Sequence, residues 1–424
     1  MFWYHAQTKH SYNSVRMYPN RLSWEDQPSV YKRYPERFTR FPLRREDPED
    51  DFLYHIAGIN AKKSYPGVEY YLRMNPSAGA LYPNELYMQI RGVERRQDGI
   101  YHFDVAAGAL TLLYALGERE GIEPYLGMRH AIQGYLFLVS SVYWRSSWKY
   151  KRRAFRYCLL DAGHILGAIE ASALLKPHAT QMHYDFDKER LNAMFGFERG
   201  EWFTAAAIVA TPISGQEVEP ARFSLPYVDP TGSFEPEPLI EQAYTESMTL
   251  QQCRRQSRAP HFAYKAEMLK EVIFSRRSQR GFNGEAITKG QFHYLMDILA
   301  QPVLSDCEER VNVYVVVNRV IDMPLGLYRD GSYLEYGDFS QKAGYLSLEQ
   351  YNLSTQGALA FFMTSDGKNY QALYQKAGII GHRLYIAANY LGLGASGIGA
   401  YYDDEVNAFI GNDEMVLYAF AIGR

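Results

Sequence analysis

The chain has 424 residues, 47% of them hydrophobic, with 45 Lys plus Arg against 48 Asp plus Glu for a net charge of −3. That balance offers no basic field to nucleic acid, the apolar content is ample for two cores, and no apolar run approaches the length of a membrane span. The opening Met1-Phe2-Trp3-Tyr4-His5 lacks the charged-then-apolar pattern of a secretory signal. Cys158, Cys253 and Cys307 are scattered, odd in number and without metal spacing, which points to thiols in a reducing cytoplasm.

In chain order, residues 1–45 are rich in Arg, Tyr and Pro with little periodicity, and an irregular arm over the first domain is expected. Glu46 to Ile56 reads as a short helix with an acidic first turn, stopped at Gly58. The loop Asn75-Pro76-Ser77-Ala78-Gly79-Ala80-Leu81-Tyr82-Pro83 offers small residues and backbone amides to a flat ring lying close to main chain. Leu86 to Gly92 and Tyr101 to Phe103 read as strands, and Gly134 to Tyr143 as a buried one. Arg153 to Leu175 reads as a long buried helix in which Gly163 and Gly167 permit close packing. The prolines at 220, 226, 230, 236, 238 and 260 mark residues 214–260 as a connection, with a helix from about Leu239 to Cys253 inside it. After the helical stretch Ala266 to Phe274 comes Arg276-Arg277-Ser278-Gln279-Arg280-Gly281-Phe282. Its two guanidinium forks and hydroxyl suit a phosphate and a polyol chain.

The sequence also contains itself twice. Gly99-Ile100-Tyr101 is echoed by Gly326-Leu327-Tyr328, Gln133-Gly134 before an apolar run by Gln356-Gly357, and Ala162-Gly163 opening the helical stretch to Leu175 by Ala377-Gly378 opening one that runs from Gly378 to Leu391. The three matches keep their order at an offset of roughly 220 residues, which implies two copies of one α+β domain. The boundaries expected are 1–213 for the first domain, including the arm 1–45, then 214–260 for the linker and 261–424 for the second domain. Gly392-Leu393-Gly394-Ala395-Ser396-Gly397 satisfies a dinucleotide-binding pattern, but it follows a helix rather than a strand, so it is assigned as a helix stop.

These motifs together resemble the FMN-dependent nitroreductase superfamily, and within it the SagB-type dehydrogenase branch that includes azoline oxidases. The resemblance rests on Pro76 to Pro83, Gly99 to Phe103, Trp148-Lys149-Tyr150, Arg153 to Tyr157 and Asp161 to His164 in the first copy. In the second it rests on Arg276 to Phe282 and Leu391 to Ala400 with Asp403-Asp404. It implies an α+β fold of two tandem nitroreductase-like domains forming a pseudo-dimer within one chain. It further implies FMN held by Arg276, Ser278, Arg280 and Arg424 at the phosphate and ribityl chain. The ring would be lined by Pro76, Ser77, Ala78 and Ala80 from one copy and by Ser396, Gly397, Ile398 and Gly399 from the other.

Each copy departs from the family pattern in a complementary way. The first has no Arg-Arg-Ser run, its nearest substitute being Lys9, Ser11, Ser14 and Arg16; the second has Gln301 to Asp306 where the Pro-Ser loop should stand. One intact flavin site per chain is the expectation, with a second site at Lys9 to Arg16 as the alternative. In azoline oxidases a Lys-Tyr pair at the matching place is associated with removing the substrate proton, which assigns Lys149 and Tyr150 as catalytic. Both side chains titrate near 10 in water and need burial or neighbouring cations to act as bases near pH 7. Lys151, Arg152 and Arg153 could supply that field, and the alternative is that Lys149 to Arg153 is a basic surface turn. His164 and His382 read as core or interface histidines, and His178 and His183 lack partners for a metal. The activities left open are a dehydrogenase acting on a small-molecule or peptide substrate beside biosynthetic partner proteins, an NAD(P)H-fed nitro or quinone reductase, and a flavin-free scaffold.

Overall fold

The computed structural model describes residues 1–17, 22–65, 68–176 and 179–424. The chain divides into two compact units: an N-terminal one of Leu22–Ala259 with Leu304–Glu308, and a C-terminal one of Met1–Arg21, Pro260–Val303 and Glu309–Arg424. Among the described residues no helix is long and apolar enough to cross a membrane.

The chain opens with two short helices, α1 (Phe2–Gln7) and α2 (Tyr12–Met17), which cluster with the C-terminal unit. Their polar residues explain the attachment. Lys9 meets Asp404 at 2.6 Å, Arg16 meets Glu349 at 2.8 Å, and the His10 amide donates to Asp403 at 2.9 Å. Such pairs are invisible in local periodicity because their partners lie hundreds of residues away.

The N-terminal unit follows with β1 (Arg40–Pro42) and α3 (Pro48–Ala57), whose cap is Asp47: its carboxylate accepts from the Glu49 and Asp50 amides, with Pro48 in the first turn. Next come the hairpin β2 (Ile59–Tyr65) and β3 (Val68–Arg73), then β4 (Asn84–Arg91), β5 (Gly99–Asp104), β6 (Ala109–Ala115), the short β7 (Glu120–Gly121) and β8 (His130–Val142). Helices α4 (Tyr143–Tyr150) and α5 (Ala154–Ala173) precede β9 (Gln181–His183), α6 (Lys188–Met194), β10 (Glu201–Glu217), β11 (Glu219–Pro220) and α7 (Pro238–Ser247). The main sheet runs β1-β6-β5-β4-β8-β10-β9, with every pairing antiparallel.

The C-terminal unit continues with α8 (Ala266–Ser275), α9 (Lys289–Leu299), β12 (Asn312–Val317), β13 (Gly326–Arg329), β14 (Ser332–Tyr336) and α10 (Ser340–Leu346). It ends with β15 (Leu359–Ser365), α11 (Tyr370–Tyr390), β16 (Gly394–Ile398), α12 (Asp403–Ile410) and β17 (Met415–Gly423). Its sheet order is β14-β13-β12-β15-β17-β16. Apart from the extra edge strand β1, this is the order of the first sheet with each strand replaced by its counterpart, and each unit carries one long buried helix between the fourth and fifth of these shared strands in sequence.

Gly392 takes φ +70 just after α11 and Gly394 opens β16, so the glycine-rich stretch there ends a helix and starts a strand. Helix α11 begins eight residues before the expected start at Gly378, because Tyr370, Leu373 and Tyr374 bury a further apolar face that the polar Gln371 and Gln375 obscure in the sequence.

A buried ion pair ties α4 to the sheet. Arg145, fully buried, meets Glu85 of β4 at 2.6 Å and donates to the carbonyls of Ser29, Tyr82 and Pro230 at 2.8–3.0 Å. The His102 ring lies 2.9 Å from the other Glu85 oxygen. Burial pushes the Glu85 carboxyl up, but Arg145, His102 and Arg73 overcome it and hold it at about 2. A carboxylate with its pKa depressed by folding stabilises the fold above the ordinary carboxylate range and loses that contribution as pH falls towards about 2. Arg145→Leu strands the Glu85 charge and should cost about 3–5 kcal/mol in urea unfolding at pH 7, with a smaller loss near pH 3, where Glu85 can take up a proton; an equal loss at both pH values would contradict this assignment.

Candidate active site

In the N-terminal unit the loop after β3 is built on left-handed backbone. Gly79, Ala80 and Tyr82 have φ of +66, +55 and +43, around a single tight turn at Ala78–Ala80. Two of these are not glycine, a conformation that costs of order 1 kcal/mol or more each unless the surroundings enforce it. The enforcement comes from α5 and from neighbouring backbone. The Ser77 hydroxyl donates to an Asp161 carboxyl oxygen at 2.6 Å, and the Ala78 amide donates to the same group at 3.3 Å. Ser77 Oγ in turn accepts the Tyr82 amide at 2.9 Å, and the Tyr82 hydroxyl accepts the Arg73 amide at 3.0 Å.

The end of α4 lies against this loop. A Cβ added at Gly79 would stand 2.7 Å from the Tyr150 hydroxyl and 3.2 Å from Lys149 Nζ, so a side chain there would push both groups aside, on backbone already in the left-handed region. The Tyr150 ring stacks on Tyr157 with centroids 4.2 Å apart, and Lys149 Nζ lies 5.5 Å from the Tyr150 ring centre. Lys149 and Tyr150 are half-buried, whereas Lys151 and Arg152 are exposed. Lys151 Nζ donates back to the Trp148 carbonyl at 3.0 Å, and Arg152 approaches Glu237 at 3.7 Å. Of the three cations expected around the pair, only Arg153 is buried.

In the C-terminal unit the Arg276–Phe282 run lies along the outer edge of β16. Ser278 bridges to Ala395, the Gln279 amide donates to the Ala395 carbonyl at 2.9 Å, and the Phe282 ring packs where Gly394 and Gly423 lack side chains. The Asn283 amide donates to the Arg424 carbonyl at 2.8 Å, which brings the chain terminus to the same run. Tyr385 of α11 links the two segments: its hydroxyl contacts Ser278 Oγ at 2.7 Å and accepts the Gly397 amide at 2.7 Å, while its ring lies 5.1 Å from the Arg276 guanidinium. Arg276 is buried and Arg280 exposed. The Gly397 amide is thereby committed to Tyr385, leaving Ser396, Ile398 and Gly399 as the rest of the expected ring lining on β16 and just beyond it.

Arg276, Ser278, Arg280, Arg424 and the β16 residues are therefore gathered in one unit, and Pro76, Ser77, Ala78, Ala80, Lys149 and Tyr150 in the other. Two guanidinium groups, a hydroxyl and an edge of small residues form a donor set that fits a phosphorylated polyol carrying a flat ring. Lys9 and Arg16, the alternative phosphate cations, are each paired with a carboxylate, Asp404 and Glu349. His382 is buried and kept neutral, its pKa lowered to about 3 by burial and by Arg276, and His164 is equally buried. His183 is pushed down to about 4 by burial and by Arg255; His178 lies outside the described residues. Among the described residues no group of three or more His, Cys, Asp or Glu could hold a metal ion.

Sequence reading missed Asp161 and Tyr385 as site-forming residues. A signal for the first was present, since an acid inside Leu159-Leu160-Asp161-Ala162-Gly163 must be buried and therefore must have partners. Tyr385 gave none, being one of 36 tyrosines.

Comparison with known proteins agrees with this architecture. Residues 273–424 match the Nitroreductase family. The whole chain superposes on the crystal structure of a provisionally assigned nitroreductase from Anabaena variabilis, with a TM-score of 0.81 and 25% identity, covering 100% of this chain and 99% of that one. A provisionally assigned nitroreductase of Methanocaldococcus jannaschii is 32% identical over 94 residues, 21% of this chain and 46% of that protein. The chain thus spans about half the length of that curated relative. The C-terminal region thus matches the Nitroreductase family, and the chain as a whole has the mixed α/β fold of a nitroreductase crystal structure.

Asp161 gives the site a titration of its own. Burial raises its carboxyl to about 7 against the lowering effect of the Ser77 and Ala78 hydrogen bonds. A carboxyl that binds its proton more tightly when folded makes stability fall as pH rises from the ordinary carboxylate range to about 7, and leaves it level above that. Asp161→Asn should remove this slope; a wild-type decline in urea midpoint between pH 5 and 8 that persists in the variant would show that another group titrates.

Proposed function

We propose that the chain is an FMN-dependent oxidoreductase of the SagB-type dehydrogenase branch, oxidising a C–N or C–C bond of a small-molecule or peptide-borne ring such as an azoline. The observation that supports it best is the placement of Lys149 Nζ and the Tyr150 hydroxyl against Gly79, beside the loop that the family resemblance assigns to the flavin ring. A base and a hydroxyl at that spot suit removal of a substrate proton, the step such an oxidation needs besides hydride loss. Bound FMN supplies the hydride acceptor. Arg276, Ser278, Arg280 and Arg424 hold its phosphate and ribityl chain, while Pro76, Ser77, Ala78 and Ala80 with Ser396–Gly399 line the ring. One chain contributes both sets as a pseudo-dimer, and the reaction belongs to the cytoplasm alongside partner enzymes of a biosynthetic pathway.

A second reading is an NAD(P)H-fed nitro or quinone reductase, favoured by the names of the Anabaena and Methanocaldococcus relatives. The two are separated by what Lys149 does. In the dehydrogenase, Lys149→Met keeps the yellow colour and loses on the order of 10²-fold or more in turnover of the oxidised substrate, with flavin reduction by NADPH slow in wild type and variant alike. Rapid bleaching by NADPH that survives Lys149→Met would place the chain with the reductases.

A further inference from the structure

The sequence leaves three cysteines far apart, and the fold brings two of them into contact within the N-terminal unit. Cys253 Sγ lies 2.6 Å from Cys307 Sγ, inside van der Waals contact, with both present as thiols. The backbone around them is fixed from several directions. Gln256 and Ser305 exchange both amide hydrogen bonds, at 2.9 and 3.1 Å, and Met182 of β9 donates to the Leu304 carbonyl at 2.9 Å. The Asp306 carboxylate accepts the Tyr184 and Asp185 amides at 2.9 Å, and Ser305 Oγ donates to the Cys307 carbonyl at 2.8 Å. The segment 304–306 thus extends the edge of the main sheet at β9, and the chain around Gln256 is laid against it in turn.

The two sulfurs differ in access. Cys307 is fully buried, whereas Cys253 is half-exposed and followed by the exposed Arg254 and Arg255, which draw anionic reagents to it. The third cysteine, Cys158, is fully buried in α5 with its thiol pushed up by burial, and is inert by comparison.

We propose that Cys253 and Cys307 form a redox-active dithiol that an anionic low-molecular-weight disulfide, of the glutathione class, converts to an intrachain disulfide. The Cys253 thiolate attacks one sulfur of the reagent, forming a mixed disulfide and expelling one thiolate. The Cys307 thiolate then attacks Cys253 Sγ, closing the protein disulfide and expelling the second thiolate. The protons lost by the two cysteines end on the two released thiols, so the protein loses two electrons and the reagent gains them. Closure makes a covalent ring of residues 253–307 that contains the Arg276-Ser278-Arg280 run, and it clasps the connecting segment to the sheet edge.

The test uses the full-length chain, reduced and then incubated with oxidised glutathione, with denaturation in an alkylating reagent before intact-mass and peptide analysis. The reduced protein, with its three cysteines, should take up three alkyl groups. The oxidised protein should take up one, on Cys158, carry no glutathione, and yield a peptide pair linked through Cys253 and Cys307. Cys307→Ala should stop at a stable glutathione adduct on Cys253, and Cys253→Ser should keep both remaining thiols alkylatable. Should Cys307→Ala not fold, the wild-type peptide map decides alone. Three alkyl groups on the oxidised wild type, or a glutathione adduct that persists on its Cys253, would overturn the proposal.

Discussion

The candidate site depends on one buried carboxyl group holding a loop in a conformation it would not otherwise keep. Asp161 stands inside an apolar helix, where an acid is costly unless hydrogen-bonded, and its partners are the Ser77 hydroxyl and the Ala78 amide. Those bonds fix the start of a stretch in which Gly79, Ala80 and Tyr82 are all left-handed. They also set Gly79 directly against the ends of the Lys149 and Tyr150 side chains. Arg145 acts from the other end, since it binds the Tyr82 carbonyl and stands on the helix that ends in Lys149 and Tyr150. Helix, loop and catalytic candidates are thereby positioned by two buried ionisable groups, Asp161 and Arg145, each of which would be destabilising without its partners.

The C-terminal unit shows the same logic in its own residues. Aligning Ala162-Gly163 with Ala377-Gly378 sets Lys376 at the place of Asp161, and Lys376 Nζ donates to the Glu309 carbonyl at 2.7 Å instead of holding a Pro-Ser loop. The same alignment sets Tyr385 at the place of Glu170. Tyr385 is the residue that binds Ser278 and the Gly397 amide, so the copy that carries the Arg-x-Ser-x-Arg run also carries the hydroxyl that docks it on β16. In the proposed site, each unit carries the support for its own set of residues and lacks the support for the other set.

Much of this was legible in the sequence where the signal is local. Buried strands, the long helix around Gly163 and the acidic-started helix at Glu49 follow from periodicity and capping, and the repeat of Gly-Ile-Tyr as Gly-Leu-Tyr falls on the first residues of β5 and β13. What was hidden depends on partners far along the chain. The opening segment looked irregular because its order comes from Asp403, Asp404 and Glu349, and Cys253 and Cys307 looked unrelated because a strand-like excursion at Leu304–Glu308 is needed to join them. Of the cations next to the pair, Lys151 and Arg152 stand in solvent with their side chains turned to the Trp148 carbonyl and to Glu237.

In the proposed function, complementary sets of residues in one chain serve one flavin. Flavin per polypeptide, from the absorbance released on denaturing the purified protein after saturation with FMN, tests it most directly. One FMN per chain, lost in an Arg276→Ala, Arg280→Ala double variant, is the predicted result. Two per chain would make the Lys9 to Arg16 segment a second phosphate site, and none would contradict a flavin enzyme altogether.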